Sequence, residues 1–483
     1  MNILIIKPDH IGDYILFRNF IEEIKLLKKY QNSTITCVLN NQIRDLSEFL
    51  DQKYIDNFIF INLNKYLEES WYFNKINKQI KLISYDLIIN ALYNKFTSFE
   101  KLIQQINCKK KYSLHQNLTE KNQLYKKENS IHYHKIIDIS KNKPFIYEGT
   151  KKLFEKIFNT KMLNIIPSIQ VKNSSELNFI KEKNYILVFI GADDIFRKWD
   201  IYNYANLINY ILNSTNYKVI LCGGEKELND SLKIEESVSS KKVINLTAQT
   251  SLVDMLFIIN NSKLNISNET GIAHMSMALN INTFVISNAN HFGKFTPYPK
   301  EYSNKYFSIY PFEIKNSSDI NKYKKLYYAK SDLNINKISL EKVLIKLNKI
   351  LNIKIKKSSY NMIDINPNIL SPYQLKINYD FSYMFSNLYT DITKLKNKNK
   401  KFIIYGKNSF SNVVKTILKD SIIGIIDYKD TSLLNTDISN FYIVIVVLGR
   451  EDTIEKNLIS KYKINPTKII KFKIQKKSYL KRD

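Results

Sequence analysis

Several short stretches of this 483-residue chain set glycine beside acid or base where an apolar run gives way to a helical pattern. In ISNETGIAHMSMALN, Ile266 to Asn280, a strand runs out near Ser267 and a helix opens near Gly271, one of only ten glycines. A helix start presents free backbone N–H groups and the positive end of the macrodipole, a combination that binds phosphate. Gly271 lets an anion approach the backbone and Thr270 adds a hydroxyl donor. Glu269 is misplaced against a phosphate and would accept from sugar hydroxyls beside it. Asn268 and Thr270 are equally good material for an ordinary helix cap.

Three further stretches share this design. FIGADDIFRKWD ends a strand at Gly191 and sets Arg197, Lys198 and Trp199 before a helix near Asp200. A lysine there, Lys198, can neutralise a pyrophosphate leaving group without metal. ILCGGEKE puts Gly223 and Gly224 at another strand end, with Glu225 able to accept from ribose hydroxyls. In KPDHIGDYILF, Gly12 permits the turn, His10 sits on the same acceptor-side loop, and Asp13 falls in the first helical turn. Asp13 is either a helix cap or a base for an acceptor hydroxyl, and the helix dipole is expected to keep it ionised. All four stretches fall at carboxyl ends of strands, where open α/β sheets bind ligands.

Such sites need parallel sheets covered by helices, and β-branched apolar runs alternate with amphipathic stretches almost throughout. NILII, STITCVL and YDLIINAL read as strands of a first α/β domain over residues 1–165, and DYILFRNFIEEIKLLKKY as one helix. Lys109 to Ser130, polar and lysine-rich, reads as a surface loop or flap. His132 and His134 would share one face of a strand, without a nearby third metal ligand. A second βαβ series over 166–355 begins at NYILVFIGADD and includes YNYANLINYILN, SLVDMLFIINNS, KLNIS and NTFVIS. After a linker, 356–399, a third unit over 400–483 resembles the small Rossmann-like modules attached to some sugar-modifying enzymes, with Gly406 alone where a dinucleotide fingerprint needs three glycines.

The formal net charge of +28 favours anionic partners, although a Lys-, Asn- and Ile-rich composition of the AT-rich-genome kind accounts for it equally well. Cys37, Cys108 and Cys222 are too scattered for a disulfide framework, which points to a reducing cytoplasm. No signal-peptide core develops after Met1, and no run approaches the ~20 apolar residues of a membrane span. No GxxxxGK[ST] exists, which excludes a P-loop nucleotidase at motif level, and Asp193-Asp194 is not the Asp-x-Asp of metal-dependent sugar transferases. His10, His115 and His291 read as polar surface residues, and Gly293 and Lys294 either border the nucleotide site or form a structural loop.

In order and spacing, ILIIKPDHIGDYILF, FIGADDIFRKWD, VILCGGEKE and ISNETGIAHMSMALNINTFVIS resemble glycosyltransferase family 9, the lipopolysaccharide heptosyltransferases and their relatives. The resemblance covers the first 30 residues and most of 185–300, is faint between 31 and 180, and is absent from 355 onward. It implies an α/β GT-B fold: two Rossmann-like domains facing a cleft, acceptor-side and donor-binding, here followed by a small C-terminal α/β domain. It implies metal-independent, inverting transfer from a nucleotide-diphosphate sugar, with an ADP-sugar the favoured donor. Asp13 then matches the catalytic base, Lys198 the donor-phosphate lysine, Thr270 and Gly271 the phosphate-binding pair, and His274 the histidine three residues later. Glu225 falls near the ribose-contacting acid. Glu269 stands where the family usually has Asp, which puts heptose as the sugar in doubt, and Ile272 replaces a frequent proline. The acceptor implied is a hydroxyl of an anionic glycan or glycolipid such as a lipopolysaccharide or lipooligosaccharide core, reached from the cytoplasmic face of the inner membrane by peripheral contact. Two other classes stay open: a non-catalytic nucleotide-sugar-binding scaffold, and a nucleic-acid-binding protein, against which stands the absence of any recognisable nucleic-acid motif.

Overall fold

The computed structural model describes residues 1–93, 95–115, 130–139, 143–162, 166–171, 184–192, 194–353, 391–396, 400–406, 409–426, 432–435, 440–446 and 451–471. The chain forms two compact units, Met1–Asp364 and Ile365–Asp483. The first holds two six-stranded sheets.

In the first sheet, β1 (Asn2–Lys7), β2 (Thr34–Asn40), β3 (Asn57–Ile61), β4 (Leu87–Asn90), β5 (Lys110–His115) and β6 (Lys135–Asp138) lie in the order β3-β2-β1-β4-β5-β6, and every pairing is parallel. In the second, β7 (Tyr185–Phe189), β8 (Lys218–Cys222), β9 (Val243–Asn245), β10 (Leu264–Asn268), β11 (Thr283–Ile286) and β12 (Tyr306–Ile309) lie in the order β12-β11-β10-β7-β8-β9, the same winding, again parallel. Both sheets therefore reverse direction in the middle, between β1 and β4 and between β7 and β10. Open sheets leave a ligand crevice at the carboxyl ends of such strands. Ile3, Leu4, Ile5 and Ile6 are fully buried because helices cover both faces, which is why β1 reads as a continuous apolar run.

One hydrophobic cluster joins the two sheets. It runs from Ile3, Ile5 and Phe20 in the first to Leu187, Ile272, Met275 and Tyr298 in the second. The helix Ile146–Phe158 contributes Tyr147 and Phe154, which meet Phe20 at ring-centroid distances of 4.7 and 5.0 Å.

Some elements differ from the sequence-based expectation. The helix expected from Asp13 to Tyr30 is two helices, Ile11–Ile15 and Asn19–Leu26, joined by a tight turn in which Phe17 N–H donates to Tyr14 and Phe20 N–H to Phe17. Within the stretch expected as a polar loop, Lys110–His115 is strand β5, buried from Lys111 onward; Lys111 reaches the Ile103 carbonyl with its ammonium at 2.6 Å, so lysine density there did not mean solvent. The rest of that stretch, 116–129, lies outside the described residues, as do Asp193 and most of the 356–399 linker. His132 closes a short 3₁₀ turn, Ser130–His132, and His134 precedes β6, so the two do not share a strand face. His115 is buried, not a surface residue. Strands β3, β9 and β12 are short pieces that periodicity did not isolate.

The second unit contains β13 (Lys401–Tyr405), β14 (Ile422–Ile426), β15 (Phe441–Ile445) and β16 (Ile469–Lys471), a parallel sheet in the order β14-β13-β15-β16. Helices Ser409–Leu418 and Glu451–Tyr462 accompany it, and its two apolar faces gather around Phe402 and Val444 on one side and Ile403 and Ile443 on the other.

A buried ion pair ties the first helices of the N-terminal sheet together. Arg18 donates Nη2 to Asp51 Oδ1 at 2.6 Å and Nε to Oδ2 at 3.0 Å, Tyr14 donates its hydroxyl to the same carboxylate, and Arg18 Nη1 donates to the Ser168 carbonyl at 2.7 Å. Removing one partner of such a pair leaves a buried charge uncompensated. Asp51→Ala is expected to destabilise the unit by about 3–5 kcal/mol, seen as a lower urea midpoint, with the double change Arg18→Met/Asp51→Leu recovering much of the loss. An Asp51→Ala midpoint equal to wild type would contradict this account.

Candidate active site

Two short loops meet where both sheets reverse. The first follows β1 and opens the helix Ile11–Ile15; the second follows β10 and opens the helix Gly271–Ala278. They touch through glycine backbones. A Cβ on Gly271 would stand 3.1 Å from the Gly12 nitrogen and 3.0 Å from Ile11 Cβ, and one on Gly12 would stand 2.7 Å from His274 Cδ2 and 3.4 Å from Gly271 Cα. Each glycine is required because the opposite loop occupies the space a side chain would need.

A cavity of about 270 Å³ opens beside this contact, lined by Asp13, His10, Glu269, Arg197, Lys294 and His274 among others. A second, of about 430 Å³, is lined by Gly223, Gly224 and Glu225 and by Phe189, Met255 and Ile272. Thr270 and Gly271 line both. The junction of the two chambers is thus the start of a helix. Thr270 is its N-cap residue, yet its side chain makes no capping bond, and its buried hydroxyl oxygen has no partner among the described residues. The ordinary-cap reading of Thr270 therefore fails, leaving that hydroxyl and the N–H groups of the first turn for something the protein itself does not supply. Asn268 serves a different purpose. It accepts from Trp199 N–H at 3.1 Å and donates to the Ile190 carbonyl at 3.1 Å, stapling the loop after β10 to the loop after β7.

Around Asp13 the charges are dense. Lys7, fully buried at the end of β1, holds Asp9 at 2.5 Å and lies 3.3 Å from the centroid of the Tyr93 ring. Burial, then the Asp9 carboxylate, push the Asp13 carboxyl up to about 6 against the opposing pull of Lys7, Lys294 and His10. Desolvation thus outweighs the dipole of a helix start of only five residues, yet with its carboxyl at about 6 Asp13 is mostly ionised at neutral pH. Burial lowers the Lys294 ammonium, and Asp13 and Asp9 partly restore it. His274 is pushed down to about 3 by burial and then by Arg197, and its Nδ1 lies 2.6 Å from the Tyr298 hydroxyl. His291, expected on the surface, lines the same cavity and is pushed down to about 4 by burial and Lys294. Both rings are neutral at neutral pH.

Arg197 and Lys198 part company. Arg197 faces the first cavity, donates to the Glu269 carbonyl, lies 3.8 Å from Glu269 Oε1, and keeps a buried Nε with no partner among the described residues. Lys198 lines neither cavity; Asp230 holds it at 2.7 Å and Glu227 lies at 3.6 Å. Of the adjacent pair it is Arg197 that lines the first cavity, where Lys294 is a second cation. Glu269 lines the first cavity, buried, accepting from Ser287 Oγ at 2.6 Å, and burial raises its carboxyl. Glu225 is exposed on the wall of the second cavity, while Glu227 turns inward to accept from the Gly224 N–H at 3.1 Å. Gly223 is fixed by that inward turn, because a Cβ there would stand 2.7 Å from Glu227 Cβ. Sequence alone does not single out Asp9, Arg197, Tyr93 and Glu227 as site residues, and it leaves Lys294 undecided. Among the described residues no group of three or more His, Cys, Asp or Glu is placed to hold a metal ion.

The model of glycosyltransferase family 9 (heptosyltransferase) matches residues 73–323, just over half of the chain. Among solved structures, E. coli ADP-heptose LPS heptosyltransferase II has a TM-score of 0.55 at 18% identity, with 73% of this chain and 99% of that one covered. The family 9 glycosyltransferase of Veillonella parvula DSM 2008 gives 0.56 at 18% identity, over 73% and 97%. E. coli heptosyltransferase WaaC with ADP gives 0.52 at 13% identity, over 72% and 100%. No curated protein matches by sequence. The structural likenesses are ones of fold, and they identify the paired sheets of residues 1–353 as the GT-B arrangement. With its two reversing sheets, its glycine-to-glycine cleft and a family match over more than half its length, the chain belongs to glycosyltransferase family 9 and is a glycosyltransferase.

Proposed function

We propose that this enzyme moves a sugar from a nucleotide-diphosphate donor, an ADP-sugar being favoured, to a hydroxyl of an anionic surface glycan or glycolipid such as a lipopolysaccharide or lipooligosaccharide core. Transfer is inverting and needs no metal. The observation that carries this reading is the position of Thr270 and Gly271 on both cavities, with the unpartnered Thr270 hydroxyl between them. A nucleotide whose base lies against Met255 and Ile272 and whose ribose meets Glu225 would bring its diphosphate to that helix start. Its sugar would then enter the chamber that holds Glu269 and Asp13. The matched heptosyltransferases, whose names include ADP-heptose and ADP, support the choice of donor.

Chemically the reading is a single displacement. Asp13 takes the proton of the acceptor hydroxyl as its oxygen bonds to the anomeric carbon from the face opposite the nucleotide. The bond from that carbon to the diphosphate oxygen breaks, and the oxygen keeps the electron pair. The charge appearing there is met by Arg197, the Thr270 hydroxyl and the helix N–H groups, with Lys294 nearby; these supply without metal the stabilisation a cation would give. One displacement inverts the anomeric centre. Glu269 is anchored by Ser287 and Arg197 instead of projecting freely, so it shapes the sugar subsite as a fixed wall.

Thermal shift against ADP-, GDP-, UDP- and CMP-sugars in the presence of a chelator, followed by NMR of the product linkage, tests the whole reading. Stabilisation by no member of the set, or retention of anomeric configuration, overturns it. A base must be ionised to accept a proton, so kcat/KM is expected to fall about tenfold per pH unit on the acid side of about 6. Lys294→Met removes a charge that favours the Asp13 carboxylate and moves that limb to higher pH; a limb that stays put, or moves down, contradicts the coupling. Asp13→Asn is expected to cost roughly 10²–10⁴ in turnover. Arg197→Ala should lower kcat by roughly 10²–10³ while Lys198→Ala leaves it within a few-fold, and the reverse ranking would return the phosphate role to Lys198.

A further inference from the structure

The helix Ser70–Lys81 falls between β3 and β4 in the chain, and its inner face packs into the fold. Ile76 and Ile80 enter the core beside Phe99 and Leu102, and Asn77 accepts from the Tyr66 hydroxyl at 2.8 Å. Its outer face carries Trp71, Lys75, Lys78 and Leu82 at spacings of four, three and four, which places them on one stripe about 16 Å long. Trp71 is 60% exposed and Leu82 is 78% exposed, so a large apolar side chain stands open at each end of the stripe. Lys75, Lys78 and Lys81 are exposed, and none of them takes part in the ion pairs of the described residues. Lys81 donates to the neutral Gln105 side chain and so keeps its charge. No carboxylate lies between Ser70 and Leu82; Glu68 and Glu69 precede the helix start. Beside this stripe, toward the helix Thr97–Gln105, lies a groove of about 420 Å³ lined by Phe73, Asn77, Lys78, Lys81, Leu82 and Gln105.

We propose that this stripe docks the enzyme on an anionic bilayer surface, Trp71 and Leu82 entering the headgroup boundary at the two ends while Lys75 and Lys78 meet lipid phosphates between them. The residue pattern is that of a helix lying in an interface: apolar anchors to bury, lysines able to reach out along their stems, and no acid to be repelled. A second copy of the chain is a poor occupant, because a two-fold interface would set the same lysines against one another. The docked helix is joined through the short helix Leu63–Glu68 to the cleft, since Leu63 lines the cavity that holds Asp13. A membrane-borne acceptor would then meet the cleft from the side on which the enzyme rests. Docking goes beyond the reading of the reaction and does not depend on which donor is used.

The chain supplies its own reporter. Of its two tryptophans, Trp199 is fully buried, so a change in emission on adding vesicles comes from Trp71. The full chain is mixed with vesicles of phosphatidylcholine alone and with phosphatidylglycerol added at one part in four, and is followed by cosedimentation and tryptophan emission. Expected are binding and a blue shift with the anionic vesicles only. Lys75→Gln/Lys78→Gln should lower the partition coefficient about 25-fold, roughly fivefold per lysine. Trp71→Ala should weaken binding and abolish the shift, and the exposed pair Lys241→Gln/Lys242→Gln should bind as wild type. No wild-type binding, unchanged binding by the Lys75/Lys78 variant, or an equal loss in the Lys241/Lys242 control overturns the proposal. Light scattering that finds a wild-type dimer and a monomeric stripe variant would reassign the face to a second copy. Turnover on a water-soluble acceptor is measured in parallel and should be the same in all four proteins, so that failure of docking and failure of the transferase reading are told apart.

Discussion

The close approach of Gly12 and Gly271 is the constraint on which the active site depends. Two helix starts from two different sheets are brought into backbone contact, with the Gly12 nitrogen 3.1 Å from where a Cβ on Gly271 would be. Nothing larger fits between them, and so the loop that carries Asp13 and the loop that carries Thr270 share one cavity. The contact is held from behind by apolar packing of Ile11 and Ile272 into the common core and by Asn268, which fixes the second loop to the end of β7. Positive helix ends set this close favour an anion between them over any neutral occupant.

Desolvation then decides the chemistry of the groups gathered there. The same burial that raises Asp13 to about 6 lowers His274 to about 3 and His291 to about 4. The cleft therefore keeps two neutral imidazoles beside a carboxyl that titrates just below neutrality. Its fixed positive charge comes from Arg197 and the lysines, not from histidine. Lys7 is a foundation rather than a contact: fully buried under Tyr93 and paired with Asp9, it anchors the loop whose acid raises Asp13.

Residues that the fold buries and residues that it leaves unused carry different information. Arg18 and Asp51 form a closed pair, and Asn19 and Arg18 both bond Ser168 on the segment leading to the second sheet. The outer stripe of the helix Ser70–Lys81 is the converse case, a regular pattern of side chains to which the described residues offer no partner beyond the Lys81–Gln105 contact and the Trp71–Tyr72 ring pair.

What the sequence by itself determined was the alternation of elements, the strand ends at which glycines cluster, and the loops holding Asp13, Glu225 and Thr270-Gly271. These are local properties: a continuous apolar run needs a sheet covered on both faces, and a glycine at a strand end needs room for backbone or ligand. Tertiary structure alone decided which of two adjacent cations faces the cleft. Arg197 and Lys198 are equivalent as residue types, but Trp199 is buried with its indole N–H donating to the Ile338 carbonyl at 3.0 Å, and that anchor turns Lys198 toward Asp230 and leaves Arg197 at Glu269. It also decided that Lys110–His115 is a strand, because pairing with β4 and β6 outweighs the polarity of its lysines. The ionisation of Asp13 was beyond the sequence for the same reason: burial and the charges of Asp9, Lys7 and Lys294 act through space, and Lys294 stands almost three hundred residues away along the chain.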